Sequence, residues 1–198
     1  VNYHHHISLK DYSDLYQWSV ENISDLWEDI WNFSNIKSSK PFDIVVNEPD
    51  KMPGSKWFLG TKLNFAENLL KYKSNKLAIR FVGEDKVKSD LTYNELYDQV
   101  ARLSNALKEL GVKPGDRIAG IMPNMPETII AMLASASLGA VWSSTSPDFG
   151  VKSILDRFKQ IQPKIIFVAN GYYFKGKIFD TTEKLKEILD RLNSVENV

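Results

Sequence analysis

The spacing of apolar residues changes several times along the chain, and each change marks an element. Leu26, Trp27, Ile30 and Trp31 fall at helical spacing, with Ser24 as the candidate N-cap. A stripe this rich in Trp reads as a helix docked on a surface; ligand stacking is the other reading. Pro41, Pro49, Pro53, Gly54 and Gly60 punctuate residues 40–60, which predicts an extended wrap. Residues 77–82 form an apolar run of strand formers, and 87–91 can return beside it as a hairpin across 83–86. Thr92-Tyr93-Asn94-Glu95 spells a capping box, opening a helix with Leu96, Val100, Leu103 and Leu107 on one face and Gly111 as its stop.

Strand and helix then alternate. Lys113-Pro114-Gly115-Asp116 is turn chemistry, followed by a strand over 117–122. Pro126 suits the first turn of a helix over 127–138, apolar on nearly all sides and rich in Ala and Ser. A strand over 140–145, a helix over 151–160 and a strand over 164–169 follow. Asp180-Thr181-Thr182-Glu183 spells a second capping box, opening a helix over 180–193 with Leu185, Ile188, Leu189 and Leu192 inward. Short apolar strands separated by helices predict an α/β fold, a parallel sheet flanked by helices and preceded by an N-terminal helical and extended wrap. The expected division is 1–60, packing on the core, and 61–198, the α/β unit.

Composition narrows the function classes. At 198 residues, 43% hydrophobic and 25% charged, the chain can bury an ordinary core. Lys+Arg and Asp+Glu both number 25, so the chain lacks the basic footprint of a nucleic-acid binder. The longest uncharged apolar run, 128–142, falls short of the roughly 20 residues of a membrane helix. Absence of Cys removes disulfides and thiolate chemistry and fits a cytoplasmic protein. The start shows no basic-then-apolar leader pattern, so a soluble chain is expected.

Candidate chemistry lies where parallel strands end, because ligands bind beyond their carboxyl ends. That selects residues 123–126, 143–150 and 170–177. In the second, Ser146 or Asp148 either caps the next helix or lines a ligand, and the two roles are compatible. In the third, Gly171 to Lys177 has P-loop spacing, but Ile178 stands where that motif needs Ser or Thr for Mg2+. Two readings remain for it: an exposed hairpin whose Lys175 and Lys177 meet an anionic ligand, or a plain solvated turn. The histidines are His4, His5 and His6, a terminal run expected to be disordered, which leaves no base for a Ser-His-acid triad. The residues by themselves predict a parallel α/β domain without a complete active site.

Several stretches resemble the adenylate-forming acyl-CoA synthetase superfamily: LNFAENLL (63–70), LTYNEL (91–96) and GVKPGDRIAGIMPNMPETIIAMLASASLGAVWSS (111–144). LYQWSV (15–20), AVWSSTSPDFG (140–150) and LDRFKQIQPKIIFV (155–168) look like the acetoacetyl-CoA subgroup in particular. The related acetyl-CoA enzymes carry a Gly-Gly-containing loop where this chain has Ser146-Pro147-Asp148. The resemblance implies an acid–thiol ligase using ATP, CoA and Mg2+, with a short carboxylic acid as substrate. It also implies that the phosphate-binding loop and later acidic, Arg and Lys residues lie outside this chain. The chain then reads as an N-terminal piece, inactive alone, holding no catalytic residue and binding no cofactor tightly. Its partner is the rest of its own polypeptide; a cut sheet edge favours self-association. What the resemblance leaves here is contact with CoA, through Ser146 and Asp148 beside the pantetheine and through Lys175, Gly176 and Lys177 at the nucleotide end. Phe174 and Lys177 replace arginines of the acetyl-CoA enzymes, while Gly176 matches. The alternative is a non-catalytic α/β binding module of the same fold.

Overall fold

The computed structural model describes residues 1–84 and 86–198, so Asp85, in the predicted 83–86 turn, lies outside the described residues. The chain divides into two compact units, Val1–Asn64 and Phe65–Val198.

The first unit contains α1 (Asn2–His5), α2 (Tyr12–Glu21), α3 (Ile23–Phe33), β1 (Ile44–Asn47) and β2 (Lys56–Leu59). Ser24 is not the N-cap of α3; Asn22 occupies that position and makes no side-chain cap bond. Residues 40–60 are extended in two short strands. They fold back as an antiparallel hairpin pairing Ile44 with Leu59 and Val46 with Trp57. The Trp stripe meets this hairpin. Trp27 lies edge-on to Trp57 at 5.5 Å, and Trp31 packs with Phe58 at 4.7 Å and Phe42 at 5.2 Å. Edge-to-face ring pairs of this kind add roughly 0.5–1.5 kcal/mol each beyond area burial. The histidine run is also ordered: His4 and His5 hydrogen-bond opposite oxygens of Asp29, at 3.2 and 3.1 Å. Burial raises the Asp29 pKa, but the bonds to His4 and His5 outweigh it and hold the carboxyl below its ordinary range.

The second unit opens with α4 (Phe65–Leu69), then the antiparallel hairpin β3 (Leu77–Gly83) and β4 (Val87–Thr92). Thr92 and Glu95 form the predicted capping box: Glu95 N–H donates to Thr92 Oγ1 at 3.2 Å, and Thr92 N–H to Glu95 Oε2 at 2.8 Å. It opens α5 (Tyr93–Glu109), which buries Leu96, Val100 and Leu107. There follow β5 (Arg117–Ile121), α6 (Pro126–Ser137), β6 (Val141–Thr145), α7 (Val151–Ile161), β7 (Ile165–Val168), the hairpin β8 (Gly171–Phe174) and β9 (Lys177–Asp180), and α8 (Thr182–Leu189).

The sheet order is β6-β5-β7, parallel throughout, as the alternation of strands and helices predicts. Alternation along β5 divides the core. Ile118 joins Val100, Leu107, Ile130 and Leu133 on the α5/α6 face; Ala119 and Ile121 join Ile154, Phe158 and Ile188 on the α7/α8 face. The chain moves from β5 to β6 in one direction and from β6 back past β5 to β7 in the other. Crossovers of one hand therefore put α6 and α7 on opposite faces. Small residues let α5 and α6 lie close, with Ser104 Oγ 2.8 Å from Ser137 Oγ. Beyond α8, Ile166 N–H donates to Asn197 C=O at 3.1 Å, so the last residues run parallel beside β7.

The second predicted capping box does not form. The N-cap of α8 is Thr181, without a side-chain cap bond. Its hydroxyl donates instead to Ala169 C=O at 2.6 Å, and Asp180 Oδ1 accepts from Thr182 N–H at 2.7 Å. Asp180, the expected capping side chain, places its carboxylate on the Thr182 N–H, one residue short of the box, while the buried Thr181 hydroxyl finds its partner in the Ala169 carbonyl. At the amino ends of the strands, Asp116 accepts from Lys113 N–H at 3.0 Å and meets Lys164 Nζ at 3.4 Å. The backbone bond from Lys113, joined by Lys164, holds the Asp116 pKa below its ordinary value. No described helix is long and apolar enough to cross a membrane.

Two predictions follow from this packing. A Cβ on Gly120 would sit 2.8 Å from Trp142 Cη2 and 2.9 Å from Cζ2, inside van der Waals contact. Gly120→Ala should therefore cost about 1–3 kcal/mol, read as a fall of several degrees in Tm; an unchanged melting curve contradicts the packing. Because its folded pKa is depressed, Asp116 stabilises above the ordinary carboxylate value and loses that contribution as pH falls through its lowered value. The Tm gap between wild type and Asp116→Asn should be widest near neutrality and close below about pH 4. A gap independent of pH refutes the assignment.

Candidate functional site

The loops leaving β5 and β6 depart toward opposite faces of the sheet, α6 on one and α7 on the other. A crevice opens where neighbouring parallel strands diverge in this way. On the β5 side, Pro126 is the first residue of α6, where its missing N–H costs nothing. Thr128 Oγ1 donates back to Pro123 C=O at 2.7 Å, which fixes the Pro123-Asn124-Met125 turn. Met122 N–H donates to Thr145 C=O at 3.2 Å and stitches the two strand exits together.

On the β6 side, Thr145 is 7% exposed and its hydroxyl has no hydrogen-bond partner among the described residues. Ser146 and Asp148 are exposed, while Pro147 between them is buried. Neither Ser146 nor Asp148 caps α7, which corrects one sequence reading. The N-cap is Gly150, whose carbonyl accepts from Ile154 N–H at 3.2 Å, with no side-chain cap bond. Both side chains sit on a turn from Ser146 to Phe149, closed by Phe149 N–H donating to Ser146 C=O at 3.4 Å, ahead of the first turn of the helix. The loop is held from elsewhere: Lys184 of α8 donates to the carbonyls of Pro147 and Phe149. The Arg157 guanidinium lies 4.7 Å from the Phe149 ring centre.

After β7 the chain makes the β8–β9 hairpin. Its turn residues, Lys175 at φ 51° and Gly176 at φ 72°, are both left-handed. Two consecutive left-handed residues give the tight turn that suits the twist of a two-residue hairpin. Gly171 is required by close approach, since a Cβ there would meet Phe179 C=O at 2.9 Å. Tyr172 and Phe179 stack across the strands at 5.3 Å. A strand, not a helix, follows the turn, so the P-loop spacing of residues 171–177 carries no phosphate-loop geometry.

Lys175, Gly176 and Lys177 are exposed together at the hairpin tip. Lys175 Nζ lies 5.2 Å from the Phe174 ring centre. At the base of the hairpin, hydrogen bonds from the Thr182 hydroxyl and backbone hold the Asp180 carboxyl below its usual range. Ser146 and Asp148 stand on the separate β6 loop. No hydrogen bond joins the two groups among the described residues.

Two contributors escape a reading of the sequence. One is Lys184, on the first turns of α8. The other is Glu84, at the tip of the β3–β4 hairpin, whose carboxylate accepts from Lys175 N–H at 2.6 Å and Gly176 N–H at 2.8 Å. Both contacts span tens of residues, and no local pattern signals them. Between the two hairpins and the 123–127 turn lies a cavity of about 380 Å³, lined by Phe81, Val87, Asn124, Glu127, Tyr172 and Tyr173 among others. That volume falls in the range of small-molecule sites. Among the described residues, no group of three His, Asp or Glu is arranged to hold a metal ion.

Two family models match the chain: "Acetyl-coenzyme A synthetase N-terminus" over residues 12–69 and "AMP-binding enzyme" over residues 65–198. Acetoacetyl-CoA synthetases of Gallus gallus and Macaca fascicularis are 45% and 43% identical to it, each over 97% of this chain and 29% of the relative. A malonamoyl-CoA synthetase of Penicillium aethiopicum is 37% identical over 100% of this chain and 28% of its own length. The chain thus spans under a third of the curated relatives it matches. The solved structure of acetoacetyl-CoA synthetase from Streptomyces lividans superposes with a TM-score of 0.91 at 36% identity, covering 98% of this chain and 31% of that one. Agreement of sequence and fold across both units makes this chain a member of the AMP-binding enzyme family.

Proposed function

We propose that this chain is the N-terminal portion of a cytoplasmic ligase that activates acetoacetate, or a similar short acid, and transfers it to CoA. The observation carrying this reading is the correspondence with acetoacetyl-CoA synthetases, which runs from one end of the chain to the other.

In the proposed reaction an acid carboxylate oxygen attacks the α-phosphorus of ATP, forming an acyl-adenylate and expelling pyrophosphate. The CoA sulfur, having lost its proton, then attacks the acyl carbon, forming the thioester and expelling AMP. Charge builds on phosphate oxygens in the first step, so it depends on positioned donors and cations. The acid- and ATP-binding residues are assigned to the remainder of the polypeptide, and no step is assigned to Mg2+ on this chain. The role left to these residues is to receive CoA. Ser146 and Asp148 border the pantetheine arm, and the exposed ammonium of Lys177, with Lys175 beside it, faces a phosphate at the nucleotide end. An ammonium–phosphate contact is charge-assisted and stronger than a neutral hydrogen bond.

A free-standing α/β binding module of the same fold is the competing reading. The mass of the natural gene product separates the two, because the ligase reading requires a much longer polypeptide. Two outcomes are expected. The isolated 198 residues should not exchange radiolabelled pyrophosphate into ATP; exchange by this piece alone refutes the division of labour. In the complete ligase, Lys177→Ala should raise KM for CoA about tenfold, measured by initial rates at saturating ATP and acid. An unmoved KM removes Lys177 from the CoA site.

A further inference from the structure

The tip of the β8–β9 hairpin offers more than two basic side chains. With Lys175 and Gly176 both left-handed, their consecutive N–H groups point to one side and form a small concave donor pair. Successive backbone N–H groups in such turns suit an anion. Here the anion is internal. Glu84, 91 residues away in sequence, places one carboxylate oxygen on each N–H, at 2.6 and 2.8 Å. Glu84 has a left-handed backbone of its own, φ 52°, at the tip of the opposing hairpin. Two hairpin tips are thus joined by one side chain.

The bond pattern separates backbone from side chain. Glu84 engages only the amides of the turn; no ion pair links it to Lys175 or Lys177 among the described residues. Lys175 lies over the ring of Phe174, and among the described residues no hydrogen bond or ion pair engages the Lys177 ammonium. The carboxylate therefore fixes the course of the turn and leaves the cations available to a ligand. The same contact closes one side of the cavity between the hairpins, which Glu84 also lines.

We propose that Glu84 is a positioning residue, a carboxylate latch that holds the Lys175–Gly176 turn through its two amides and thereby aims Lys177 at a phosphate of CoA. This rests on the reading of the hairpin as the CoA-facing element. The cost of losing the latch is orientational, so it falls on CoA affinity and spares the adenylate-forming step.

The test uses the complete ligase. Glu84→Ala should raise KM for CoA about tenfold, equal to about 1.4 kcal/mol, while kcat and pyrophosphate exchange hold. Glu84→Gln, which keeps one carbonyl oxygen as acceptor, should fall between wild type and Glu84→Ala. Added to Lys177→Ala, Glu84→Ala should have no further effect, because the latch acts through that lysine. If Lys177→Ala raises KM and Glu84→Ala does not, the latch is wrong and the hairpin's role stands. If neither moves KM, both ideas fall. A parallel loss of pyrophosphate exchange in Glu84→Ala also overturns the latch, by exposing a general folding role. Should Glu84→Ala not accumulate as folded protein, Glu84→Gln decides alone: KM for CoA at the wild-type value refutes the latch.

Discussion

Everything in the second unit depends on covering both faces of a narrow parallel sheet. In the three-stranded sheet β6-β5-β7, β5 is the central strand, flanked by a full strand on each edge and buried along nearly its whole length. Its backbone groups have no water to turn to, so the ladders on either side must be complete. The side chains of β5 serve two cores at once, Ile118 toward α5 and α6, Ala119 and Ile121 toward α7 and α8. Gly120 leaves the room that Trp142 fills. Once both faces must be covered by crossovers of one hand, the strand ends collect at one side and the crevice follows.

What hangs from those ends is held by side chains reaching to backbone, more than by side chains reaching to one another. At the amino ends, Arg117 donates to the carbonyls of Ile161 and Gln162 at 2.9 and 3.2 Å, closing the end of α7. Lys164 does the same for Gly111 at 2.9 Å, just past α5. At the carboxyl ends, Thr128, Lys184 and Glu84 bind the Pro123 turn, the β6 loop and the β8–β9 turn. Charged groups so placed satisfy loop carbonyls and amides that no regular ladder reaches. Exposed ion pairs such as Arg80 with Asp90 are worth little by comparison, since solvent screens both partners.

Much of this was legible without coordinates, and the failures share a cause. The β3–β4 hairpin, the Thr92–Glu95 box and the strand–helix alternation announce themselves within a few residues, where local chemistry decides. The Asp180–Glu183 box misleads because Asp180 turns to the Thr182 N–H and the Thr181 hydroxyl beside it is drawn to the Ala169 carbonyl, 12 residues back. Residues 40–60 are legible as extended but not as a hairpin, because Pro and Gly mark a turn between paired strands as readily as a single extended path. The histidines mislead because their order comes from Asp29, 24 and 25 residues away. The site divides the same way: Lys175, Gly176 and Lys177 are visible as a basic turn, whereas Glu84 and Lys184 become neighbours only when the chain closes on itself.

Lys184 sits within the first turns of α8, and Asp180, which ends the β8–β9 hairpin, accepts from the first N–H of that same helix. The β6 loop and the basic hairpin are therefore moored to a single cylinder. Tilting α8 about its amino end would drag both in concert, whereas each moved alone must first shed its tether. Two chemically unlike loops thus share one anchor, the amino end of a short helix.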